Sequence, residues 1–162
     1  MFFRPSWDEY FIKITDLTSK RSNCIKRQVG CIIVKDNRIL SLGYNGTPQN
    51  TLNCFEGGCL RCSNNKIQPG NNLDLCMCIH AEENALLYVS KNELENSTLY
   101  VTLSPCIGCV KKILQCKIKK VVFIHNYSPE LDKISHEILL NNKVELFQYD
   151  LSSNVFNSIK IE

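Results

Sequence analysis

The sequence predicts an α/β chain: a three-layer α/β/α fold around a central mixed five-stranded sheet that opens with an N-terminal hairpin. Three observations carry this. Two short apolar runs, "VGCIIVK" and "RILSLGY", are joined by Asp36-Asn37, which reads as a hairpin turn. Beyond them, strand-length apolar runs alternate with segments of helical period, as expected of helices on both faces of a sheet. At 162 residues the chain suits one domain, 1–162, able to bury roughly two-thirds of its unfolded surface.

Each element has its own warrant. Trp7, Tyr10, Phe11, Ile14 and Leu17 recur at helical spacing after Ser6, a suitable cap, and predict a helix over about 6–19. The hairpin strands follow, and then a helix over about 81–91. "TLYVTLS" is a strand, and a helix begun by Pro105 carries Cys106, Cys109, Val110, Ile113 and Leu114. "KVVFIH" is a further strand, Leu131, Ile134, Ile138 and Leu139 mark a helix, and "VELFQY" is the fifth strand. The core is expected over about 5–150, with 150–162 a docked or frayed tail. The span 45–75 fits poorly, being rich in Asn and Gly with little periodicity. Such loops are rare unless something functional orders them.

Charge and composition narrow the function. The net charge is +3, and the clusters Lys20/Arg21, Lys26/Arg27 and Lys117/Lys119/Lys120 are too scattered for a long nucleic-acid footprint, so no nucleic-acid partner is expected. Apolar runs such as Val121 to Ile124 are short, and "MFFRPSWDEY" lacks a secretory apolar core. Neither membrane nor export is expected, which points to the cytoplasm, with the nucleus also open to the chain. Ten cysteines in a reducing compartment suggest metal ligation or catalysis before disulfides. Cys31 and Cys116 lie in apolar surroundings and read as small buried hydrophobes.

Two motifs carry chemistry. In "HAEEN", His80 and Glu82 stand two apart, which in mid-helix would point them in nearly opposite directions. Both can lean toward one point only if His80 begins the helix and Glu82 lies in its first turn. In "SPCIGC", Cys106 and Cys109 are three apart at the start of the next helix, where the helix dipole favours thiolates. One imidazole and two thiolates suit zinc and leave a fourth position for water. A lone CxxC is equally a redox pair or half of a structural zinc site. HxE followed by PCxxC is the zinc-deaminase pattern, with the Glu as proton shuttle and not ligand. Glu83 points about 100° away from Glu82 and reads as a solvated or ion-paired acid. Cys24, Cys54, Cys59, Cys62, Cys76 and Cys78 remain, with CxxC at 59–62 and CxC at 76–78 as metal-clip spacings.

"HAEENALL", "LYVTLSPCIGC" and "GYNGTP" resemble the deoxycytidylate (dCMP) deaminases of the zinc-dependent cytidine deaminase superfamily, and "SKRSNCIKRQVGCIIV" with "NCFEGGCLRC" resembles the fungal-type branch. The resemblance spans about 5–150 and implies a cytidine-deaminase-like fold. It also implies a hydrolase acting on the C–N bond of a cyclic amidine, turning dCMP into dUMP and ammonia on the supply route to thymidylate. Zinc on His80, Cys106 and Cys109 would lower the pKa of water, with Glu82 moving the protons. Asn45 would bind a sugar hydroxyl, backbone groups around Thr102 and Ser104 the base edge, and Tyr127 would face the site. Arg27, with Lys26 second, is the candidate for the 5′-phosphate because a guanidinium matches phosphate bidentately. Some relatives carry a structural zinc at the positions of Cys24, Cys54 and Cys78, which leaves Cys59, Cys62 or Cys76 to complete it; six thiolates holding two bridged zincs is the alternative. Activation by dCTP with Mg, inhibition by dTTP, and a hexamer are further expectations, with Gly43, Tyr44 and Gly46 near the effector site. Rival readings are a tRNA adenosine deaminase, a pterin or riboflavin-pathway deaminase, and a silent zinc-stabilised binding module.

Overall fold

A computed structural model describes residues 4–68 and 70–160. Helix α1 (Trp7–Ser19) starts where expected: Ser6 Oγ accepts from Glu9 N at 3.2 Å, and Ser6 N donates to Glu9 Oε2 at 2.7 Å. Its buried face differs from the expected stripe. Phe11, Ile12, Thr15 and Ser19 are buried, while Trp7, Tyr10 and Leu17 are exposed. The reason lies in strand β1 (Gly30–Lys35), which meets α1 at Gly30, where a Cβ would stand 2.4 Å from Thr15 O. Only small helix residues fit so close an approach.

Strand β2 (Arg38–Tyr44) returns antiparallel to β1 through Asp36 and Asn37, whose φ values of 50° and 58° give the hairpin its tight turn. The span after it holds a 3-10 turn at Cys54–Glu56, a short helix α2 (Leu60–Ser63) and a second 3-10 turn at Leu73–Leu75. Its ends are tied together by a bridge in which Gly46 N donates to Ile79 O at 3.2 Å and Ile79 N to Gly46 O at 2.8 Å. The expected helix over 81–91 is two pieces, α3 (Ala81–Leu87) and α4 (Lys91–Leu94). Ser90 is the N-cap of the second piece, its N and Oγ donating to Glu93 Oε2 at 3.3 Å and 2.5 Å.

Strand β3 (Thr98–Leu103), helix α5 (Ile107–Gln115), strand β4 (Lys120–His125), helix α6 (Pro129–Asn141) and strand β5 (Glu145–Asp150) follow as two crossover units. The sheet has six strands, not five. Residues Val155–Ser158 form β6, antiparallel to β5 with Phe147 opposite Ser158. This edge strand is largely solvated, so "VFNS" has no apolar alternation to announce it. The strand order is β2-β1-β3-β4-β5-β6, with β3, β4 and β5 parallel.

Alternation along the strands separates two cores. Cys31, Ile33, Leu99, Val101, Val121 and Phe123 face α3, α5 and α6, whereas Ile32, Val34, Tyr100, Val122 and Ile124 face α1. The architecture is therefore the expected three layers. Helix α6 buries Asp132, Ser135 and Leu139 and leaves Leu131 and Ile134 exposed, a second shift from the expected stripe. Asp132 faces inward because its carboxylate accepts from Tyr127 N at 2.8 Å and Ser128 N at 3.1 Å, capping the helix it belongs to. No described helix is long and apolar enough to cross a membrane.

Candidate active site

The site forms where the carboxyl ends of the parallel strands meet the first turns of α3 and α5, the usual place for chemistry in an open α/β sheet. Close packing sets α3 in position: a Cβ on Gly43 would lie 2.2 Å from Ala81 O and 2.4 Å from Ala85 N, so β2 runs directly against the helix backbone. His80 is the N-cap of α3, with extended φ −70° and ψ 153°, and Glu82 lies in the first turn. The two residues thus escape the divergence of mid-helix positions. Cys106 is the N-cap of α5 and Cys109 sits in its first turn; Pro105 precedes the cap and does not open the helix itself.

Three donors converge. His80 Nδ1 lies 3.5 Å from Cys106 Sγ and 3.4 Å from Cys109 Sγ. The edge between nitrogen and sulfur in a tetrahedral zinc site is about 3.6 Å, so the set fits zinc without rearrangement. The three donors share their protons closely. The hydrogen bond from Cys109 holds the Cys106 thiol down to about 4, against the opposing effect of burial, and His80 assists. The bond to Cys106 raises His80 to about 9, while Cys109 is pushed up by its bond to Cys106 and by burial.

Glu82 is buried, and burial raises its carboxyl to about 7, with the His80 charge pulling the other way. A carboxyl near neutrality can both take and give a proton. Glu83 has other work. Its Oε1 pairs with Lys112 Nζ at 2.6 Å and its Oε2 accepts from His80 N at 3.1 Å, fixing the histidine backbone as the cap. Burial raises the Glu83 carboxyl, but Lys112 and the His80 amide outweigh it and keep it below the usual value.

A cavity of about 220 Å³ opens onto His80, Glu82 and Cys106. Arg27, Asn45, Ser104 and Tyr127 also line it, so four of the five substrate candidates gather at one place. Arg27 stacks over the Tyr127 ring at 5.5 Å. Thr102 stands apart: its Oγ1 accepts from Gly30 N at 3.1 Å, and it lines a second groove beside Asp16 and Gln28. Asn45 is already engaged, with Oδ1 accepting from Ser22 Oγ at 2.6 Å and Val29 N at 2.8 Å and Nδ2 donating to Arg27 O at 2.8 Å. Its amide therefore shapes the loop that carries Arg27, and one N–H is left for a ligand.

The far wall of the cavity is made of sulfur. Cys24, Cys62, Cys76 and Cys78 line it together with Arg61. All six loop cysteines cluster, while Cys31 is buried in the sheet core as expected and Cys116 is the half-buried C-cap of α5. Arg61 carries no sequence signal beyond its place between two cysteines. Yet it is buried, donating to Asn71 O from Nε at 3.0 Å and from Nη2 at 2.9 Å.

Residues 5–125 match the family described as the cytidine and deoxycytidylate deaminase zinc-binding region. The chain belongs to this family. It is 47% identical over 148 residues to the deoxycytidylate deaminase of Schizosaccharomyces pombe, covering 91% of this chain and 45% of that protein. The enzyme of Saccharomyces cerevisiae is 44% identical over 150 residues, covering 92% and 46%, so the chain spans about half the length of these yeast relatives. The deoxycytidylate deaminase of Mycobacterium phage D29 is 39% identical, with 95% of its length matched. Among solved structures, the dCMP deaminase of cyanophage S-TIM5 in complex with dCMP and dUMP superposes with a TM-score of 0.72 at 31% identity, covering 91% of this chain and 99% of that one. The yeast similarity bears out the fungal-type resemblance drawn from "NCFEGGCLRC".

Proposed function

We propose that the chain is a zinc-dependent deaminase that hydrolyses dCMP to dUMP and ammonia, with His80, Cys106 and Cys109 as zinc ligands and Glu82 as the proton carrier. One observation carries the reading: a buried, near-neutral carboxyl and a three-donor set with zinc spacing open into one cavity. When bound, zinc supplies the Lewis acidity that makes water nucleophilic at neutral pH. The chain does the rest. Glu82 takes the proton from the attacking water on a carboxylate oxygen and passes it to the ring nitrogen beside the amine-bearing carbon; it then takes the remaining hydroxyl proton from that carbon's new oxygen and delivers it to the departing amine, leaving the carbonyl of the product. Glu83 and Lys112 hold His80 at the cap so that Nδ1 keeps its direction. Leu103 and Ser104 line the cavity where the base edge would be read, Asn45 offers its free N–H to the sugar, and Arg27, backed by Tyr127, faces the 5′-phosphate.

Homologous deoxycytidylate deaminases support the choice of dCMP over the rival substrates. The rest of the proposal follows the same resemblance: a single deaminase domain, a hexamer activated by dCTP with Mg and inhibited by dTTP, an effector site around Gly43, Tyr44 and Gly46, and at least one structural zinc among the loop cysteines. Ammonia release from dCMP, CMP, deoxycytidine and adenosine-containing RNA tests the activity. dCMP is expected to be preferred, and activity on RNA alone would replace this reading with the adenosine one. Glu82→Gln should retain zinc and lose at least ~100-fold in turnover, the usual scale for a general acid-base group; near-normal turnover would remove Glu82 from its role.

A further inference from the structure

The six cysteines of the 24–78 region form two overlapping sets. Cys24, Cys54, Cys62 and Cys78 have all their sulfurs within 4.8 Å of one another, and so do Cys59, Cys62, Cys76 and Cys78. Cys62 and Cys78 belong to both. From this sharing we infer that the loop holds a two-zinc, six-thiolate centre in which Cys62 and Cys78 bridge the metals, Cys24 and Cys54 complete one tetrahedron, and Cys59 and Cys76 complete the other. The inference deepens the structural-zinc part of the proposed function and does not depend on catalysis.

The spacing is that of coordination tetrahedra. Zinc–sulfur bonds of about 2.3 Å put neighbouring sulfurs about 3.8 Å apart. Cys24 and Cys62 are 4.0 Å apart, Cys59 and Cys76 3.9 Å, and Cys62 and Cys76 3.9 Å. A single metal cannot account for all six. Placed in the first set it leaves Cys59, fully buried, without a task; placed in the second it leaves Cys54, equally buried. Two shared thiolates resolve this without added charge, because six thiolates around two zincs leave the same net double negative charge as four around one.

The surroundings suit such a centre. Buried Arg61 brings Nη1 to 4.0 Å from Cys62 Sγ, a cation beside a bridging position. Met77 N donates to Cys59 Sγ at 3.4 Å, the kind of amide bond that orients a ligating thiolate. The segment has little else to hold it. Leu52, Phe55, Leu60, Leu73, Leu75 and Met77 are all exposed, and the buried apolar cluster there consists of cysteines. Apolar burial cannot fold this loop, whereas metal coordination contributes folding free energy directly.

Metal analysis of the purified full chain tests the inference. About three zinc ions per chain are expected, one at His80, Cys106 and Cys109 and two at the loop. The double substitutions Cys59→Ser with Cys76→Ser, and Cys24→Ser with Cys54→Ser, should each remove one zinc and leave one loop metal in the intact set. Cadmium-113 spectra of the cadmium-loaded wild-type chain need no variant: two loop resonances should be mutually coupled through the shared sulfurs. Two zincs in the wild type, unchanged by Cys59→Ser with Cys76→Ser, and uncoupled loop cadmium would overturn the bridged centre and leave a single structural zinc. One zinc per chain would overturn both while leaving the catalytic reading untouched.

Discussion

Glu82 and Glu83 are adjacent, chemically identical, and separated by one helical step. That step decides everything between them: Glu82 is buried toward the donor set, and Glu83 reaches Lys112. The distinction was legible in sequence because the 100° rotation per residue applies wherever the helix is regular, and HxE needs the helix to begin at the histidine. Other residue roles were less legible. Asn45 matches a family position, but its side chain is committed to Ser22, Val29 and Arg27, contacts that join distant segments and leave no local pattern. Arg27 is the residue whose part is most open to measurement. It lies exposed at the cavity and is stacked on Tyr127, so its guanidinium is presented to a ligand and not consumed by an internal carboxylate. A charge-assisted hydrogen bond is worth about 1.5–3 kcal/mol, which corresponds to roughly 10- to 100-fold. Arg27→Ala should therefore lower the preference for dCMP over deoxycytidine, measured as the ratio of kcat/KM values, by that factor. An unchanged ratio assigns the phosphate to another group, Lys26 first.

At the scale of elements, strand and helix positions could be read from period and punctuation, yet the inward faces of α1 and α6 could not. Both helices turn polar residues inward: Thr15 and Ser19 on α1, Asp132 and Ser135 on α6. Each is invisible to an apolar stripe because its burial depends on a partner elsewhere, a close backbone for Thr15 and helix-start amides for Asp132. The α6 contact with the site runs through His136. Its Nε2 shares a 2.9 Å hydrogen bond with Ser104 Oγ, and its ring lies 5.1 Å from that of Phe123. Burial holds the imidazole below its ordinary 6.5, with Asp132 opposing. The folded chain thus binds fewer protons here than the unfolded chain just below pH 6.5. The stabilisation is complete above 6.5 and falls as pH drops from there toward the folded value. His136→Gln keeps a polar partner for Ser104 and removes the titration. Thermal melts at a series of pH values should show the difference between wild type and variant moving against the wild type as pH falls from 7 to 5. A constant difference would mean that His136 is not the half-buried neutral group described.

At the scale of the molecule, the cavity lies between two sulfur-bearing centres held by very different means. His80, Cys106 and Cys109 stand on helices anchored in a sheet core of Ile, Val, Leu and Phe, whereas the opposite wall is a loop whose buried residues are mostly cysteines. Stability should be correspondingly uneven, since segments with few buried apolar contacts open well below the global unfolding free energy. Chelation separates the two parts. If the loop cysteines hold zinc as inferred, removing it should loosen the segment between the Gly46–Ile79 bridge ends while the sheet keeps its amide protection. Arg61 is a built-in reporter, being buried and lying between Cys59 and Cys62. Trypsin should leave the Arg61–Cys62 bond intact in the zinc-loaded chain and cut it rapidly after chelation, with hydrogen exchange over β1, β3 and β4 little changed. Cleavage at Arg61 at equal rates in both states would mean that the loop folds without metal. Simultaneous loss of protection in the sheet would mean that the loop and the core unfold as one unit.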